Sequence, residues 1–148
     1  MNKKITALIA ILFSLLTNVM VPCWAVPTDI TPVSPASINP TVSADELDAA
    51  FTAADASNGN SYTSTGRELI IVLNSHASNA YTFTLTSYAD ESLLGRSGDI
   101  TTYSLAAGEY AVVGPVPVRG WRQTTGKVLI SGSNAAVKFL IIRLPASY

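Results

Sequence analysis

From Glu68 to Leu144 the chain is a succession of short apolar runs separated by glycine, proline, asparagine and small polar residues. Within them the period is two. Tyr81, Phe83 and Leu85 alternate with Thr82, Thr84 and Thr86, which gives an extended segment one apolar and one polar face. A helix would scatter these side chains around its axis, whereas a pleated strand gathers them on one side. Such a sequence is committed to β-structure, and its runs must pack sheet against sheet to bury their apolar faces.

The individual runs carry further information. Glu68–Asn74 holds Leu69, Ile70, Ile71, Val72 and Leu73, apolar on both faces, as expected of a strand in the middle of a sheet. Ile100–Leu105 and Glu109–Val113 read as strands joined by the turn Ala106-Ala107-Gly108. Gly114-Pro115-Val116-Pro117 cannot lie mid-sheet, because proline donates no ladder hydrogen bond, so it is an edge or crossing segment. Trp121-Arg122-Gln123 and Lys127–Ser131 flank a hairpin-like turn at Thr124-Thr125-Gly126. Ala136–Leu144 closes the pattern with Val137, Phe139 and Ile141 on one face and Leu140, Ile142 and Leu144 on the other. The expected fold is all-β, an antiparallel β-sandwich of jelly-roll or immunoglobulin-like type, occupying residues 43–148.

Two segments precede the strands. In residues 1–25, Lys3 and Lys4 lead into the apolar run Ile5–Val21, followed by Pro22 and Cys23-Trp24-Ala25. This is the order of parts in a cleaved secretory signal, and it also suits a hydrophobic helix retained as an anchor, the one route by which the chain would meet a membrane. Cleavage after Ala25 would remove the single cysteine and leave seven basic against ten acidic residues, net charge −3. That balance excludes a disulfide framework and the basic patch that nucleic-acid binding needs. Residues 26–42, with Pro27, Pro32, Pro35 and Pro40, read as a linker, or as an arm reaching a neighbouring subunit. Ser43 and Glu46 form a capping box, and Leu47, Ala50, Phe51 and Ala54 follow at helical spacing, which predicts a short helix over Ser43–Ala54. Asp55–Gly66 reads as a polar loop.

Catalytic chemistry is hard to assemble from these residues. The one histidine, His76, stands in a turn without converging partners. The adjacent pairs Asp45/Glu46 and Asp90/Glu91 suit a helix start and a solvated loop better than an acid–base dyad. Gly95-Arg96-Ser97-Gly98 lacks the strand and helix that frame a phosphate cradle. No metal, cofactor or catalytic set is expected. The one constellation that stands out is Arg119, Trp121 and Arg122 near Tyr103 and Tyr110, since Arg and Trp concentrate at interface hot spots. Trp121 either fills the end of the core or contacts a partner, and ring stacking on a sugar is a further use for it.

A resemblance extends this reading. Phe51-Thr52-Ala53-Ala54-Asp55-Ala56, Asn58-Gly59-Asn60, Thr65-Gly66-Arg67-Glu68-Leu69 and Asn74 follow in an order that resembles small tailed-bacteriophage virion proteins of head-associated or decoration type. The same holds for Gly95–Ile100, Ser104–Glu109, Gly114-Pro115, Gly120-Trp121, Val137-Lys138-Phe139 and Arg143-Leu144. The resemblance spans Phe51–Leu144. It implies a non-enzymatic, oligomeric structural protein bound to a repeating protein surface, and brings no catalytic residues. Residues 1–25 depart from it, since phage heads assemble in the cytoplasm. The alternative expectation is therefore a secreted or cell-surface module that binds glycan or envelope.

Overall fold

The computed structural model describes residues 26–35, 48–88 and 99–146. Every regular element among them is a strand: β1 Thr28–Asp29, β2 Thr52–Ala53, β3 Asn60–Thr63, β4 Glu68–Asn74, β5 Tyr81–Thr86, β6 Ile100–Leu105, β7 Tyr110–Val116, β8 Lys127–Gly132 and β9 Val137–Arg143. They form a five-stranded sheet in the order β1-β3-β8-β5-β6 and a four-stranded sheet in the order β2-β9-β4-β7. Pairing is antiparallel except between β1 and β3, with one isolated parallel bridge from Val33 to Ile142. The all-β expectation holds. The hydrophobic segment of residues 1–25 lies outside the described residues.

The period-two pattern explains the packing. In β4, Ile70 and Val72 point inward and are fully buried, while Leu69, Ile71 and Leu73 lie half-buried on the outer face. Phe83 and Leu85 from β5, Val128 and Ile130 from β8, and Val137, Phe139 and Ile141 from β9 join them in a single core between the sheets. Each such side chain contributes roughly 1.5–3 kcal/mol by leaving water. Gly132 in β8 lies close against the facing sheet. A Cβ there would stand 2.7 Å from the Cβ of Ala54 and 3.0 Å from that of Val137.

Two expectations are corrected. No helix is formed over 48–54, the described part of Ser43–Ala54. Thr52 and Ala53 pair instead with Phe139 and Lys138 of β9, and the Ala54 amide donates to Val137 O at 2.8 Å. A free sheet edge outweighs a weak helical pattern. Asp55–Gly66 is not all loop either, since it contains β3. Asn60, Ser61 and Tyr62 are buried there, held by antiparallel pairing to β8.

The described part of the proline-rich segment, residues 26–35, is paired to its own chain. Thr28 and Ile30 donate their amides to Gly59 O and Ser61 O at 3.0 and 2.7 Å, and Ile30 enters the core. Val33 then bonds on both sides to β9, its amide to Ile141 O and its carbonyl from the Arg143 amide, each at 2.8 Å. The arm thus begins on one sheet and ends on the other, closing that side of the molecule. Lys127 and Ser61 hold Asp29 at 3.1 and 3.0 Å, and Thr28 Oγ1 donates to Asp55 Oδ2 at 2.8 Å.

Candidate functional site

The side opposite the arm ends in β6 on one sheet and β7 on the other, and no described strand pairs with the outer edge of either. Between them runs a groove lined by apolar and tyrosine side chains and by the exposed backbone of the edge. One stretch, of about 530 Å³, lies among Phe83, Ile100, Tyr103, Ala111 and Val113. A second, of about 330 Å³, continues along Ile100 and Val113 to Pro115, Val116 and Trp121. The Tyr103 ring lies 5.3 Å from that of Phe83 and is 49% exposed, while Tyr110 and Val112 are 60% and 66% exposed.

The four sheet edges differ in what they offer. β1 and β2 are two residues long. β6 is broken by Thr102, whose φ of 49° is rare for a β-branched residue and coincides with a register shift opposite Phe83 and Leu85. Its amide goes to Thr84 Oγ1 at 3.1 Å. β7 is seven residues long and carries no charge. Gly108, at φ 74°, starts it with a bulge: its amide donates to Asn74 O, and the Asn74 amide donates to Glu109 O. Glu109 therefore faces β4 with its backbone groups. In an antiparallel ladder the next residues alternate, so Tyr110 and Val112 turn theirs outward. Pro115 and Gly114, with a register shift between Glu68 and Ile70, bring the regular edge to an end. The edge placement of Gly114-Pro115 agrees with the sequence reading.

Of the predicted contact residues, Arg119 and Arg122 are exposed in the segment between β7 and β8. Trp121 is 4% exposed and belongs to the core, the packing alternative, and only part of it reaches the wall of the groove. Around it the Tyr88 amide donates to Gly120 O at 2.9 Å and Gln123 Nε2 to Ser87 O at 3.1 Å. Trp121 lines one stretch of the groove, and Tyr103 and Tyr110 line the other. His76 organises its turn, Nδ1 accepting from the amides of Ser78 and Asn79 at 3.1 and 2.9 Å. No group of three or more His, Cys, Asp or Glu among the described residues is placed to hold a metal ion.

Polar chemistry in the interior centres on Glu68, which the sequence reading passed over. Its carboxylate is fully buried, yet the loop before it converges on it. The Thr65, Gly66 and Arg67 amides donate at 3.0–3.1 Å, Thr65 Oγ1 at 2.6 Å and Ser64 Oγ at 3.2 Å. Arg143 Nε completes the set at 2.9 Å, and its other arm donates to Thr63 O. Burial pushes the Glu68 pKa up, but the bonds from Thr65, Arg143 and Arg67 outweigh it and hold it down at about 2. Burial, and then the nearby Glu68 charge, push the Tyr62 hydroxyl up. A carboxylate ionised at neutral pH and ringed by donors is a poor proton carrier and a good lock. The signal for it was there: a lone acid entering an apolar run behind Ser64-Thr65-Gly66, rich in short donors. Asn74 does similar work at the other end of β4. Its side-chain amide donates to Asn79 O, Leu105 O and Ala106 O at 2.8, 3.0 and 3.0 Å.

No protein family model matches the chain, and neither a curated protein nor a solved structure does. The site therefore has to be read from its own geometry. Among the described residues it offers an unpaired strand edge, a flanking groove and exposed tyrosines.

Proposed function

We propose that this is a non-enzymatic structural protein, a sandwich of jelly-roll or immunoglobulin-like type that attaches to a repeating protein surface in the manner of a phage virion decoration protein. The observation that carries this reading is the uncharged outer edge of β7 beside the open groove. Natural edges are blunted by charge, shortness or bulges; β7 is bounded by bulges at Gly108 and Gly114, but the stretch Tyr110–Val113 between them carries no charge and keeps its outward backbone groups for pairing. The carboxylates with shifted pKa support the same view. Glu68 and Asp55 are both lowered, to about 2, and both are engaged by hydrogen bonds from their own loops together with Arg143 and Thr28 respectively; neither lines the groove. Repetition on a lattice would multiply a weak contact, and a homo-oligomer would do so within one particle. The test is quantitative recovery of the protein from purified virions or cell-surface material. A fixed stoichiometry to one major protein is expected, and recovery solely as a free monomer overturns the proposal.

A second reading, a secreted module for glycan or envelope, is favoured by Tyr103 and Tyr110, exposed at the groove. It predicts that Tyr103→Ala and Tyr110→Ala together abolish binding to isolated envelope. It also predicts Val26 as the N-terminal residue of the purified protein.

A further inference from the structure

We propose that the outer edge of β7 receives an extended, uncharged strand from a partner protein, whose alternate apolar side chains fill the groove between β6 and β7. This rests on the attachment reading above and names the chemistry of what is attached.

Three observations converge. First, Tyr110 and Val112 turn their backbone donors and acceptors away from β4, and their side chains are 60% and 66% exposed. No described strand occupies that position, which leaves it open to a ladder of main-chain hydrogen bonds. Second, the groove lies where the inward side chains of an added strand would point, between Ala111 and Val113 on one sheet and Phe83, Ile100 and Tyr103 on the other. No residue of β7 bears charge, so a charged strand would lose hydration there without compensation. Third, the molecule already closes its other side in this way. The arm is an extended segment that pairs with Gly59, Ser61 and Ile141 and sends one apolar side chain, Ile30, into the core.

A second copy of β7 fits less well. The bulge at Gly114 and Pro115 limits self-pairing to Tyr110–Val113. The Ala111 and Val113 of that copy would stay over its own core and leave the groove unfilled. A strand with no sandwich beneath it has inward side chains to spare.

The test uses the full chain and two synthetic eight-residue peptides, one alternating Val with Thr and one alternating Lys with Thr, followed by hydrogen–deuterium exchange. The Val-Thr peptide is expected to slow exchange at the Tyr110 and Val112 amides at least tenfold, and the Lys-Thr peptide to leave them unchanged. Val112→Pro removes one outward-facing donor, and Val112→Lys adds charge while retaining that donor. Each should abolish the protection, with unfolding curves confirming that the variants are folded. No protection by the Val-Thr peptide, or equal protection by both, overturns the proposal. Protection that rises with protein concentration in the absence of peptide also overturns it, in favour of self-pairing. The readout is local to β7. Protection by peptide in a protein never found on an assembly would fault the attachment reading alone, and attachment that survives both Val112 variants would fault the strand alone.

Discussion

Gly114 and Glu68 meet across the start of β4. A Cβ on Gly114 would stand 2.8 Å from the Glu68 carbonyl oxygen and 2.9 Å from the Val116 amide, at a φ of 117° that side chains rarely adopt. Both obstacles are backbone, so Gly114→Ala is expected to cost about 1–3 kcal/mol in chemical denaturation. The Glu68 side chain makes a pH prediction. Its pKa falls from 4.5 to about 2 on folding, so the unfolded chain takes up its proton first. The stabilisation is full above about pH 4.5 and is lost as pH falls towards 2, by something on the order of 2–3 kcal/mol. Glu68→Gln should flatten most of that slope in urea midpoints measured from pH 5 to 2. Asp55 moves in the same direction and keeps a remainder.

At the scale of elements, the arm and the close approach at Gly132 are the parts most open to test. Ile30→Ala leaves a hole between the sheets where the arm crosses, and roughly 2–4 kcal/mol of lost stability is expected from urea titration. Gly132→Val should do more harm than Gly132→Ala, because Ala54 and Val137 from the facing sheet leave room for neither. The strands that carry these contacts were legible in varying degree. β5, β8 and β9 announce themselves because one face is apolar and the other polar or half-covered, which is what a period of two records. β3 was hidden, since Asn60 and Ser61 are buried by pairing to β8 and to the arm and not by their own apolarity. β2 was hidden by a helix-like spacing that holds no information about the vacant edge of β9. At the candidate site, Pro115 marked the edge, but whether Trp121 faces in or out depends on contacts from Tyr88 and Gln123 that no local pattern encodes.

The whole molecule has two unlike sides. On one, the arm and β2 cover the outer edges of β3 and β9; on the other, β6 and β7 end the sheets. Native-state hydrogen exchange should therefore be slowest in β4, β8 and β9, each with a strand on both sides, and fastest at the outward-facing amides of Tyr110 and Val112. The bridge from Val33 to Ile142 bears on how the protein is made. β9 lies inside its sheet, between β2 and β4, though it is the last described strand to be synthesised. A growing chain can build β4 and β7 but cannot flank β4 on both sides or seat Val33 until Arg143 has cleared the ribosome. Such distant pairings make folding slow. The interval before β9 arrives is a window in which the unfinished chain keeps the core face of β4 and β7 uncovered.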